Sequence, residues 1–189
     1  MKRKISRKII RIYDFLRRDI PNFFRNIFLF RRELRDFQWW DYHYNLEILK
    51  RSLQITADNV EKKGIEVDSS RLKKVQKMRR AIEIIQNLSG IDHIEMAEAE
   101  LGPIVTREWD FEDVEGRPQY KRLVDDLTDE ERDHNRKVYS RAREIEEAEW
   151  AELWKIFNGQ DHNEYKNLNL DESSWDEWFD GSGMRGWWD

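Results

Sequence analysis

Apolar positions recur at helical spacing along most of this chain. The stretch Trp39 to Leu53 opens a helix that the pattern carries to about Gly64. Its apolar residues fall on two stripes: Tyr42, Leu46, Leu49, Leu53, Ala57 and Val60 on one, Tyr44, Ile48 and Ile55 on the opposite side. A helix apolar on two faces has neighbours on both. It is therefore expected at the centre of the fold, with the N-terminal segment against one side and the following helix against the other.

That following helix is expected from about Ser70 to Leu88, with Asp68-Ser69-Ser70 as its cap and Ser89-Gly90 as its stop. Leu72, Val75, Met78, Ile82, Ile85 and Leu88 stand at core spacing. The short link makes the two helices an antiparallel hairpin. Lys73, Lys74, Lys77, Arg79 and Arg80 read as a solvated basic face.

On the N-terminal side, Ile5 to Ile20 pattern as an amphipathic helix ended by Pro21, and Asn22 to Leu34 as a second helix whose apolar residues wrap nearly all the way round. Beyond the hairpin, Ile91 to Leu101 read as a short acidic helix closed by Gly102-Pro103. Ile104 to Phe111, with a turn at Gly116 and Pro118, leave room for one small β-hairpin. Thr128-Asp129-Glu130-Glu131 is a capping box, and the helix it opens is expected to reach about Asn158-Gly159. The first half of that helix is mostly charged and is expected to project. Its last turns, rich in Trp, should pack. A loop, a short helix at Trp175 to Phe179 and a tail ending in Trp187-Trp188-Asp189 complete the chain.

The expected fold is therefore mainly α, a helical bundle centred on the 41–63 and 70–88 hairpin. Residues 1–37 form a basic amphipathic arm, 38–160 the bundle and 161–189 a Trp-rich docking tail. Trp40, Tyr44, Leu46, Leu49, Trp150, Trp154, Trp187 and Trp188 are the expected structural core.

Composition sharpens this picture. Hydrophobic and charged residues each make up 39% of the chain, which suits charged helices around a modest core better than a wide parallel sheet. Nine Trp, nine Phe and six Tyr must supply much of the buried area, at roughly 150–250 Å² per ring. Cysteine is absent, so disulfide and thiolate chemistry are excluded.

Charge divides the chain. Residues 1–36 hold twelve Lys/Arg and four acids, a surplus of +8, while the remainder holds 22 bases and 35 acids, −13. A basic arm joins an acidic body. Either the arm lies on a body, its own or a neighbour's, or it meets an external polyanion: a membrane surface or a nucleic acid. Arg17, Arg18, Asp19, Pro21 and Arg25 break any signal-peptide core, and no run approaches the roughly 20 apolar residues of a membrane span.

Chemistry-bearing motifs are sparse. Glu131-x-x-His134 has the helical i, i+3 spacing of di-iron ligands, but such a site needs two of these pairs and two further Glu. Asp92-His93 near Glu95 is weaker. There is no Gly-x-Ser-x-Gly elbow, no phosphate-binding Gly-x-x-x-x-Gly-Lys and no dinucleotide fingerprint. Gly181 to Gly186, with Arg185, has the flexibility of an anion loop, yet glycines here most simply let Trp187 and Trp188 turn back and dock. No catalytic residue, metal ligand or cofactor is expected.

Three stretches carry a resemblance: Trp40-Asp41-Tyr42-His43-Tyr44-Asn45-Leu46-Glu47-Ile48-Leu49-Lys50, Arg18-Asp19-Ile20-Pro21-Asn22 and Trp187-Trp188-Asp189. Together they resemble a loose group of short, uncharacterised proteins encoded by tailed bacteriophages, over about the first 90 residues and the tail. The resemblance implies a setting, a bacterial host cytoplasm or a virion, and no activity. Three readings stay open. The first is a self-associating, non-enzymatic protein that binds a host factor or a small nucleotide signal. The second is a minor virion structural or assembly protein. The third is a peripheral inner-membrane protein held by its arm. Arg17, Arg18, Arg25, Arg31, Arg32, Arg35 and Arg185 are the candidate ligand or partner contacts, because phosphates call for cations and bases for aromatic faces.

Overall fold

A computed structural model describes residues 9–90, 92–161 and 177–187. The protein is a mostly helical bundle with one small two-stranded antiparallel sheet. Residues 9–29 form helix α1, with a π turn at Phe15–Asp19 and regular α-helix at Ile20–Leu29. Pro21 does not end it. Its missing N–H falls where the π turn hands over to the α-helix, in the new segment's first turn, where proline is tolerated. Phe30 then breaks the path, and α2 follows at Arg31–Arg35.

Helix α3, Tyr42–Lys63, is capped by Asp41, whose carboxylate accepts from the His43 N–H at 2.9 Å. Residues 64–67 link it to α4, Asp68–Leu88. Asp68-Ser69-Ser70 forms the first turn of α4 instead of its cap, and Asp68 pairs with Arg71 one turn on, at 2.7 Å. Helix α5 spans Asp92–Leu101. Strands β1, Trp109–Val114, and β2, Arg117–Asp125, pair with Phe111 opposite Leu123. Gly116 turns the hairpin at φ +73°, a backbone region that favours glycine. Thr128 caps the long helix α6, Asp129–Asn158, and the reciprocal bonds of the capping box are both made.

The main core joins Leu46, Leu53 and Ala57 of α3 to Met78, Ala81, Ile82, Ile84, Ile85 and Leu88 of α4, with Leu153 and Ile156 of α6 and Trp187 of the tail. Leu49 packs against its edge, and Tyr44 is half-buried beside the Phe37 ring. A second cluster holds Ala97 of α5 against Val138 and Ala142 of α6. The charged first half of α6 therefore packs instead of projecting, because Val138 and Ala142, one turn apart, present an apolar strip to α5.

Several expected core positions lie outside these clusters. Trp40 is 67% exposed, Trp154 72% and Trp150 38%. On α6 the buried stripe runs through Glu149, Leu153 and Ile156, one residue out of phase with Trp150 and Trp154. Trp40 precedes the Asp41 cap of α3 and so is not part of that helix's buried stripe. Tyr42 and Leu72 are exposed as well, each in the first two turns of its helix. Trp188 and the first two residues of the expected Trp175 to Phe179 helix lie outside the described residues, and Glu177 and Trp178 are helical.

The basic face of α4 is not simply solvated. Lys74 is buried against Glu66, Lys77 meets Asp180 at 2.9 Å and Arg79 meets Asp58 at 2.6 Å. Arg80 grips Glu152 of α6 with two bonds of 2.8 Å. These cations tie α4 to its neighbours on three sides.

Candidate functional site

Residues 20–29 place Ile20, Phe23, Phe24, Ile27 and Phe28 on one face and Asn22, Arg25 and Asn26 on the other. Ile9, Ile12 and Tyr13 ahead of the π turn, continued by Leu16 at its start, form a second stripe. One extra residue in the turn offsets the two stripes by about 100°, so together they cover a wide apolar arc. Ile9, Ile12, Tyr13, Leu16, Phe23, Phe24, Ile27 and Phe28 are each at least 41% exposed. The arm is not docked on its own body through these rings. Leu29 and Phe30, at its foot, are half-buried where α2 meets α3.

The predicted arginines separate into groups. Arg17 lies over the Tyr13 ring and bonds its hydroxyl, and Arg18 meets Asp19 at 3.3 Å. Arg25 has no partner among the described residues. Arg35 is matched by Asp36 through two bonds of 3.1 and 3.0 Å. Arg185 stands on the terminal 3-10 turn, Met184–Gly186, against α6 and apart from the arm. Arg31 and Arg32 do converge with other cations. With Leu29, Glu33, Lys50, Arg51 and Gln54 they line a cavity of about 390 Å³ between the foot of the arm and α3. Sequence reading missed Lys50 and Arg51, whose adjacency at the end of the resemblance block was the available signal.

The metal candidate has other work. Glu131 accepts from the Thr128 N–H at 2.8 Å and from Arg107 at 2.6 Å, which together hold its carboxyl down at about 2. His134 Nε2 bonds the Pro103 carbonyl at 3.0 Å. His93 meets Glu149 at 2.7 Å, and Asn87 donates to the other Glu149 oxygen at 2.6 Å. This trio staples the end of α4 and the start of α5 to α6. Among the described residues no three His, Asp or Glu gather as a metal site.

Two further clefts offer less. One of about 570 Å³ at the base of the β-hairpin is lined by Arg107 and Arg132, already paired with Glu131 and Asp125. Another of about 500 Å³ is lined by Tyr42, His93, Tyr139, Arg143 and Glu146, an unbalanced set with no nucleophile.

The glycine-rich tail is a docking device. Trp187 is 1% exposed, donates Nε1–H to the Gly181 carbonyl at 2.9 Å and meets the Phe157 ring edge-on at 6.0 Å. A Cβ on Gly181, at φ +87°, would lie 2.3 Å from the Lys73 carbonyl, so only glycine passes there.

Comparison with protein-family models, with curated proteins and with solved structures gave no match for this chain.

Proposed function

We propose that this protein works by attachment: the basic, aromatic arm lies in the interface of an anionic membrane and holds the acidic helical body beside it. The observation that carries this reading is the exposed apolar arc of α1, flanked by arginines and left uncovered by the body. Buried apolar area plus attraction to anionic headgroups is what binds an interfacial helix. Among the described residues no helix is long and apolar enough to cross a membrane, which suits lying on it. Pairing two arms side by side would set one +8 segment against another. In the setting implied by the phage resemblance, the surface is the inner membrane of a bacterial host.

The test is flotation of the full chain with phosphatidylcholine vesicles, with and without phosphatidylglycerol. Association is expected only with phosphatidylglycerol, falling as salt rises and lost in a Phe23→Ser, Phe24→Ser, Phe28→Ser variant. No flotation at low salt would overturn the reading. Arm-dependent multimers would then favour the self-associating alternative, in which the basic arm seats on a second copy's acidic body.

A further inference from the structure

We propose that the cavity where the arm meets the bundle binds a phosphodiester group, supplied by the headgroup of an anionic lipid when the arm lies in the membrane. The proposal rests on the attachment reading and gives it a ligand class and named residues. Four cations line the cavity: Arg31 and Arg32 from α2, Lys50 and Arg51 from α3. Lys50 is paired with Glu47 at 2.6 Å. Among the described residues the other three touch no carboxylate.

Arg31 donates to the Phe28 carbonyl at 2.8 Å and stacks on the Phe28 ring at 4.1 Å. Arg51 is half-buried and donates to the Leu29 carbonyl at 3.2 Å and to Gln54 Oε1 at 3.5 Å. Arg32 has no partner among the described residues. In the bundle, by contrast, Arg79, Arg80, Arg107, Arg132 and Arg141 are all held by carboxylates. Gathered guanidinium groups that no carboxylate bridges repel one another, and an anion that bridges them relieves this. The planar guanidinium fork matches phosphate oxygens in pairs.

Glu33 also lines the cavity and sets the charge of the ligand. Its Oε2 is buried without a hydrogen-bond partner, and it makes no ion pair with the arginines around it. A carboxylate at that place repels a doubly charged phosphate more than a singly charged diester. The position agrees with a lipid source. Phe28, the last ring of the apolar stripe, carries the Arg31 guanidinium on its face, so the cavity opens where acyl chains give way to headgroups.

The test titrates the full chain with sn-glycero-3-phosphoglycerol and with inorganic phosphate, read by calorimetry. The diester is expected to bind saturably and more tightly than phosphate. Arg32→Gln removes no contact the fold uses and should weaken the diester roughly tenfold, the loss of one charge-assisted bond. Adding Arg51→Gln should abolish binding, whereas Glu33→Gln should tighten both ligands. The double variant should float more weakly with phosphatidylglycerol vesicles but not lose flotation, because the rings and the remaining arm cations still engage the surface. Diester binding that is absent, or unchanged by Arg32→Gln, overturns the cavity while leaving the attachment reading standing. Arginine-dependent diester binding without flotation overturns attachment and keeps the cavity, with a soluble phosphodiester as its ligand.

Discussion

Asn135 of α6 exchanges two hydrogen bonds with Val105: its Oδ1 accepts from the Val105 N–H at 2.9 Å, and its Nδ2 donates to the Val105 carbonyl at 2.8 Å. One carboxamide thus does for the extended 104–108 segment what a neighbouring strand would do. The segment needs it, because the sheet begins only at Trp109.

Replacing Asn135 with Ala leaves a backbone donor and acceptor of Val105 unpaired next to the smaller core cluster. The expected cost is about 1–3 kcal/mol in urea unfolding, with faster hydrogen exchange at the Val105 amide. An unchanged exchange rate would show that water replaces the side chain without loss.

Glu149 satisfies His93 and Asn87 at once, and the Glu149 and His93 side chains are only 11% and 12% exposed. Glu149→Leu strands both partners near the junction of α4, α5 and α6. A loss of about 3 kcal/mol is expected, measured by chemical denaturation. A variant as stable as the parent would mean that the trio is replaceable by packing.

Trp187→Ala empties a core position and should cost about 3–5 kcal/mol, lowering Tm. Gly181→Ala should act in the same direction, since the tail can no longer pass Lys73. If neither variant moves Tm, the tail is not docked in solution.

Acid should unfold the protein in a defined window. The Thr128 N–H and Arg107 lower the Glu131 carboxyl from 4.5 to about 2, so its contribution is full above 4.5 and lost as pH falls towards 2. Arg80 lowers Glu152 and Arg132 lowers Asp125 in the same direction. At Asp180 burial pushes upward, but Ser182 and Lys77 outweigh it. Glu131→Gln should flatten the stability profile over that interval, followed by far-UV circular dichroism. An identical profile would remove Glu131 from the account.

Much of this architecture is local and was therefore legible in the sequence. The Thr128 capping box, the α3 and α4 stripes and the Gly116 turn each follow from a few neighbouring residues. Periodicity gives a face but not what covers it, which is why Trp154 and Trp40 were expected inside and are exposed. The basic face of α4 misled for a similar reason: Arg80 finds its acid on α6, far along the chain. The cavity at the foot of the arm was only half visible. Arg31 and Arg32 stood out by charge, whereas Lys50 and Arg51 join them only because α2 folds back beside α3.

The docking of Trp187 also sets an order of events. The ring completes a core whose other members begin at Leu46, so that core stays open until nearly all of this sequence has left the ribosome. The arm precedes the bundle along the chain, and its rings are exposed even in the folded protein. Under the proposed attachment, a nascent chain would reach a lipid surface before its own interior closes, so that attachment and folding would proceed from opposite ends.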